Sequence, residues 1–251
     1  MSQIDAQPLA GQTVLITGGA RRLGAATAQT LHGAGANVVI HYRTSSQDAT
    51  ALIRTLNTAR ADSALTVQAD LLDAARLPEL ITASVKHFGR LDILVNNAST
   101  FYATPVGEIT PAQFEDLIGT NLRAPLFLAQ AAAPELRRRR GLILNMCDIH
   151  GMKPLKNYPT YSAAKAALIM LTRSLARELA PEVRVNGIAP GPVMVPEDLD
   201  AALEAEIIGK TPLRRIGDPQ DIGKAALYFA TLAPYVTGQI LAVDGGRSQG
   251  G

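Results

Sequence analysis

The chain has 251 residues, of which 47% are hydrophobic and 18% charged, and a formal net charge of +2. This is enough apolar material for one α/β domain with a sizeable core, and no linker-like stretch divides it. The slight positive excess points away from nucleic acid, no window approaches the ~18 uninterrupted apolar residues of a membrane span, and a single cysteine excludes an intrachain disulfide and suits a reducing compartment.

The first ten residues, Met1 to Ala10, lack a basic region followed by an apolar run, so they read as an N-terminal arm of a cytoplasmic protein and not as a signal peptide. Val14-Leu15-Ile16 then predicts a strand, and Leu23 to Leu31 shows helical spacing. Between them runs Thr17-Gly18-Gly19-Ala20-Arg21-Arg22-Leu23-Gly24. Glycine there opens backbone angles closed to other residues, and Gly24 lets the helix approach the sheet. Amides at such a helix N-terminus suit a pyrophosphate.

Asn37 to Ile40 predicts the second strand, running into His41-Tyr42-Arg43-Thr44-Ser45-Ser46. NAD sites place an acid near this point for the ribose 2′-hydroxyl, whereas here the first acid is Asp48. Arg43, the hydroxyls of Thr44 and Ser45, and Arg22 in the turn suit a 2′-phosphate instead, which favours NADPH over NADH. Ala64 to Gln68 predicts a third strand, with Asp70 and Leu71 after it; Asp70 either accepts from an adenine amino group or caps the next helix. Asp92 to Val95 predicts a fourth, entering Asn96-Asn97-Ala98-Ser99-Thr100-Phe101-Tyr102, where small residues admit a flat ligand and Phe101 offers either an aromatic face or ordinary packing.

A long helix after Pro111 carries Asn121 among leucines, an amide suited to pairing with backbone or to holding a water. Arg137 to Arg140 close a helical stretch, with arginines expected near its last carbonyls. Leu142-Ile143-Leu144 predicts a buried strand that delivers Asp148 to the carboxyl edge of the sheet, where open α/β sheets bind ligands. Tyr161 and Lys165, four apart at the start of an Ala-rich helix, share a face. An ammonium beside a phenol lowers a pKa that otherwise sits near ~10 and primes it for proton transfer. Cys147 reads as a small residue near the site, not as a nucleophile. Val183 to Ile188 predicts the sixth strand, ahead of Pro190, Gly191 and Val193. Residues 194–212 read as a mobile substrate lid with a short helix, and Gln239 to Val243 as the last strand before Asp244-Gly245-Gly246. Alternating strands and helices without hairpin signals predict a doubly wound parallel sheet.

Taken together, Thr17-Gly18…Gly24, Asn96-Asn97-Ala98, Asn121, Tyr161-x-x-x-Lys165, Pro190-Gly191 and Asp244-Gly245-Gly246 resemble the short-chain dehydrogenase/reductase family. That resemblance implies a Rossmann-type, seven-stranded parallel sheet in a single domain, a nicotinamide cofactor and a homotetramer. Most members carry a serine where Asp148 stands and a glycine where Arg22 stands. Both departures resemble the pteridine reductases, as do His41-Tyr42, Asn97-Ala98-Ser99-x-Phe101-Tyr102 and Asn145-Met146-x-Asp148. The resemblance therefore implies a pterin or folate substrate, no metal, Phe101 stacking the pterin against the nicotinamide, and Ser99 touching both. Tyr161 would donate the proton aided by Asp148, Lys165 would hold the nicotinamide ribose, and Asn121 would steady Lys165 through water. Two rival readings are a carbonyl reductase for a ketone or 3-oxoacyl thioester, which Asp148 disfavours, and a non-catalytic NADP(H) sensor, which the intact Tyr161 and Lys165 disfavour.

Overall fold

Seven short apolar runs become the strands β1 (Thr13–Ile16), β2 (Asn37–Tyr42), β3 (Ala64–Gln68), β4 (Ile93–Asn96), β5 (Leu142–Met146), β6 (Arg184–Pro190) and β7 (Ile240–Val243). The computed structural model describes residues 7–193 and 200–249. All strand pairs are parallel, in the order β3-β2-β1-β4-β5-β6-β7. The runs are nearly continuous in apolar residues because parallel strands bury both faces. Alternate residues accordingly feed two cores. Val14, Ile16, Val38, Ile40, Ile93 and Val95 face one side, while Leu15, Val39, Leu94 and Ile143 face the other.

The helices are α1 (Arg22–Gly33), α2 (Ser46–Ala59), α3 (Leu77–Phe88), α4 (Pro111–Ile118), α5 (Ala124–Arg139), α6 (Pro159–Glu178), α7 (Ala201–Gly209) and α8 (Pro219–Thr231); α4 packs on α6 and α7 buries no residue, so the other six cover the sheet. The arrangement is the doubly wound Rossmann-type sheet that the sequence predicts. Strand order reverses between β1 and β4, so the loops leaving their carboxyl ends part there and open a crevice.

Three expectations need amendment. The helix after Pro111 is not continuous: a π turn over Gly119–Arg123 separates α4 from α5 and carries the buried Asn121. Such turns insert one residue and often mark functional positions. Second, two of the arginines ending α5 bond elsewhere than at its last carbonyls. Arg138 and Arg139 both turn back to the buried Glu135, and Arg139 also donates to Gly89 O at 3.0 Å, because two charge-assisted bonds to one desolvated carboxylate outweigh weaker contacts with solvated carbonyls. Third, the stretch read as a lid is described only in part. Residues 194–199 lie outside the described residues, as do residues 1–6 of the arm, and the remainder contains α7. The arm's Leu9 is fully buried, its N–H donating to Ala34 O.

Candidate active site

The cofactor side begins where β1 ends. Thr17 Oγ1 accepts from the amides of Asn97 (2.9 Å) and Ala98 (3.0 Å), and Asn97 Nδ2 donates back to Thr17 O (2.8 Å) and Gly18 O (3.0 Å). These bonds lock the glycine turn to the loop after β4. Gly18 takes φ +59°, and a Cβ on it would come within 2.9 Å of Ala98 Cα. At Gly24 the clash would be harder still, 2.4 Å from Gly18 O, so helix and turn meet at a spacing only glycine permits. The N-cap Arg21 supplies no side-chain cap to α1 and no acid stands in its first turn, so that end of the helix is electrostatically suited to an anion.

Around this turn Arg21, Arg22, Arg43 and Thr44 are exposed, and Ser45 and Leu23 are half-buried. Gln68 Nε2 anchors the loop through Arg43 O at 3.0 Å. Arg21 forms a solvent-facing pair with Asp48 at 3.6 Å, so the first acid after β2 is engaged by a cation. Sequence reading passed over Arg21; its position beside Arg22 in the turn was the available signal. Asp70 Oδ1 accepts from Leu72 N at 2.9 Å, so this exposed carboxylate closes a turn. Leu71 is buried in the core against the α3 side of the sheet, and Tyr42 is half-buried. His41 is buried at 2% exposure, so its side chain serves the loops around it and does not present itself to a ligand. At the far end Pro190 and Val193 are buried, and Gly191 passes so close to Asp244 that a Cβ would lie 2.4 Å from Asp244 Cβ.

The chemistry concentrates where β4 and β5 deliver their loops. Asp148 is the N-cap of a short 3-10 turn, Ile149–Gly151, and Oδ1 accepts from His150 N at 2.7 Å. Its other oxygen, Oδ2, accepts from Tyr161 Oη at 2.6 Å. The carboxylate therefore points inward, fixed at one oxygen by backbone and at the other by the phenol. Lys165, within the first turns of α6, donates to Met146 O at 2.9 Å and lies 5.6 Å from the centroid of the Tyr161 ring. Asn121 Nδ2 donates to Thr100 O and Leu117 O, each at 3.0 Å, and its Oδ1 accepts from Ser99 Oγ at 2.7 Å. These bonds use both Nδ2 hydrogens and one of the two acceptor positions on Oδ1. Phe101 is 53% exposed, stacks on Tyr158 at 4.6 Å and meets Tyr161 edge-on at 4.8 Å. The loop carrying it is clipped to the next by Thr104 N donating to Asn157 O at 2.7 Å.

The electrostatics overturn one expectation. Lys165 does not bring the Tyr161 phenol below its ordinary pKa; burial and the adjacent Asp148 carboxylate hold it above. A phenolate here would be poorly solvated and beside a like charge, and both effects favour the neutral phenol. Burial pushes the Lys165 ammonium down while Asp148 opposes the shift. Burial lifts the Cys147 thiol to about 11, which keeps it a neutral packing group, in line with the sequence reading. Among the described residues no cluster of three or more His, Cys, Asp or Glu side chains could hold a metal ion, and no helix is long and apolar enough to cross a membrane.

Residues 18–248 match the family model described as Enoyl-(Acyl carrier protein) reductase. The chain belongs to the short-chain dehydrogenase/reductase family. Its relatives include Pteridine reductase 1 of Leishmania tarentolae, 38% identical over 93% of this chain and 95% of that protein. A 3-oxoacyl-(acyl-carrier-protein) reductase of Staphylococcus aureus is 34% identical over 94% and 97%, and 3beta-hydroxysteroid dehydrogenase 1 of Eggerthella lenta 35% over 96% and 95%. The protein is thus an oxidoreductase, and its family's reductases use NADH or NADPH. Relatives at similar identity carry names with three different substrate classes, so the substrate has to be argued from the site.

Proposed function

We propose that this protein is an NADPH-dependent pteridine reductase, acting on C=N bonds of biopterin, dihydropterins and dihydrofolate. The observation that carries this reading is the 2.6 Å bond from Tyr161 Oη to Asp148 Oδ2. A carbonyl reductase gains from a neutral hydroxyl donor at this place, because negative charge develops on the substrate oxygen. An ionised carboxylate would oppose that charge. Reduction of C=N instead leaves a nitrogen that must receive a proton, and a carboxyl next to a phenol is suited to deliver one.

Bound NADPH would supply a hydride to a pterin ring carbon, and the neighbouring nitrogen would then need a proton. Tyr161 would give its phenolic proton to that nitrogen, with Asp148, hydrogen-bonded to Tyr161 Oη, as the partner through which the phenol is reprotonated. Because the phenol is held above its ordinary pKa, losing its proton without replacement would be costly. Lys165, held by Met146 O, would donate to the nicotinamide ribose. Phe101 offers a half-open ring braced by Tyr158 for stacking with the flat substrate, and Ser99 a hydroxyl at the same edge.

The cofactor choice rests on Arg22, Arg43, Thr44 and Ser45, joined by Arg21, at the place where an acid would select the 2′-hydroxyl of NADH. The helix end without a side-chain cap and the glycine-only spacings at Gly18 and Gly24 fit a dinucleotide pyrophosphate. We further read the enzyme as a cytoplasmic homotetramer. Apolar side chains stand exposed on two separate faces, Phe127 and Met170 on α5 and α6, and Leu232, Tyr235 and Leu241 near the edge strand β7.

The test is NADPH consumption with dihydrobiopterin, dihydrofolate and an acetoacetyl thioester in parallel. Turnover with the pterin well above that with the thioester is expected. Preference for the thioester would make the protein a carbonyl reductase, and NADPH binding without turnover of any of the three a sensor.

A further inference from the structure

The His41 ring is buried and bonded at both of its nitrogens. Its Nδ1 accepts from Gly18 N at 3.1 Å, and its Nε2 lies 3.1 Å from Ala69 O. Because a backbone N–H can only donate and a carbonyl can only accept, these partners select the neutral tautomer with hydrogen on Nε2. The residue's own carbonyl accepts a second amide of the same turn, Gly19 N, at 3.0 Å. One residue at the end of β2 thus takes both glycine amides of the β1–α1 turn and reaches across to the end of β3, where Asp70 begins the next loop.

Gly18 is therefore held from both sides, its N–H by His41 and its C=O by Asn97. The Asn97 side ties the turn to the loop after β4. The His41 side ties it to the two loops that would carry the adenosine half of a dinucleotide. Other contacts also join the ends of β2 and β3, from Ala69 N to Tyr42 O and from Gln68 Nε2 to Arg43 O. The imidazole adds what these lack, a side-chain connection from that pair of strand ends to Gly18.

We propose that His41 is a positioning residue for the cofactor, whose neutral ring sets the distance between the pyrophosphate-facing glycine turn and the adenosine-facing ends of β2 and β3. This role rests on the dinucleotide reading of the site given above. The ring touches no reacting atom. Without its acceptor, Gly18 N–H would be left unsatisfied or the turn would move to find another partner, and either change would alter the cradle and not the Tyr161–Asp148 pair.

The test compares His41→Phe, which keeps a ring without nitrogens, with His41→Asn, whose Oδ1 can stand near the Nδ1 position. An unsatisfied buried donor costs about 1–3 kcal/mol, so His41→Phe should raise both Kd and KM for NADPH about tenfold or more. At saturating NADPH, kcat should fall by less than about threefold, on the same principle that only uniform binding is lost. His41→Asn should recover most of the affinity. A general loss of packing would lower melting temperature and kcat together and would not rank Asn above Phe. If His41→Phe fails to fold, 15N NMR of the wild-type imidazole decides: the Nε2–H tautomer should persist on adding NADP+, and an Nδ1–H tautomer overturns the proposal. Wild-type affinity for NADPH in His41→Phe overturns this role alone. Wild-type protein that binds neither NADPH nor NADH overturns the dinucleotide reading and this role with it.

Discussion

The two halves of the crevice use their side chains in opposite ways. On the cofactor side, Thr17, His41 and Asn97 are spent on hydrogen bonds between loops, and what faces outward is backbone, glycine and exposed arginine. On the substrate side the side chains themselves face the crevice: a half-exposed Phe101, a phenol and a carboxylate. Under the proposed function the first half would recognise a ligand by the shape of its main chain, and the second would select the reaction by chemistry carried on a few atoms, so single substitutions there should change what the enzyme does, whereas on the cofactor side they should change how tightly it binds.

The largest effect is expected from Tyr161→Phe, which removes the proton donor. General acid groups contribute about 10²–10⁴-fold, and turnover of dihydrobiopterin should fall in that range with NADPH affinity, read by fluorescence titration, little changed. Asp148→Ser should come next, with a pterin loss of about 10²-fold and any activity on the acetoacetyl thioester retained or increased. Full pterin activity in this variant would take Asp148 out of the mechanism.

The pH profile sharpens the same contrast. Tyr161 is held above its ordinary value near ~10, so the phenol stays protonated across the physiological range. kcat should therefore show no decline from ionisation of Tyr161 across that range, and Asp148→Asn should lose most of the rate throughout it while binding NADPH as the wild type does. Phe101→Ala should have a smaller effect. Aromatic stacking is worth about 0.5–1.5 kcal/mol, so KM for the pterin should rise roughly 2- to 10-fold while kcat changes less.

The smallest effect concerns stability in acid. Burial lowers the pKa values of His41 and His32, the latter also under the influence of Arg60. The unfolded chain therefore takes up protons near pH ~6.5 that the folded chain refuses. The stability these neutral rings provide is complete above that pH and is lost as pH falls through their folded-state values. Thermal melts should show a lower midpoint at pH 5 than at pH 7, and a smaller difference in His41→Asn. An equal difference in the variant would assign the acid sensitivity to His32 and the carboxylates.

Local signals were sufficient for the sheet, because seven apolar runs separated by helical spacing leave few alternatives to a parallel, doubly wound arrangement. A four-residue helical interval also put Tyr161 and Lys165 on one face and a strand end put Asp148 at the carboxyl edge of the sheet, whereas the pairing of Asp148 with Tyr161 was implied only by the family resemblance. What they misjudged was the electrostatic consequence. The ammonium four residues from the phenol gives its hydrogen bond to Met146 O, and the phenol answers instead to burial and a carboxylate thirteen residues away in sequence. The π turn at Asn121 and the bond its side chain takes from Ser99 were hidden for the same reason, as were the inward-turned His41 and the Phe101–Tyr158 stack. Hydrophobic period and turn chemistry are local properties that a chain declares residue by residue. Desolvation and hydrogen-bond partners depend on which distant segments arrive at one point, and only the folded chain decides that.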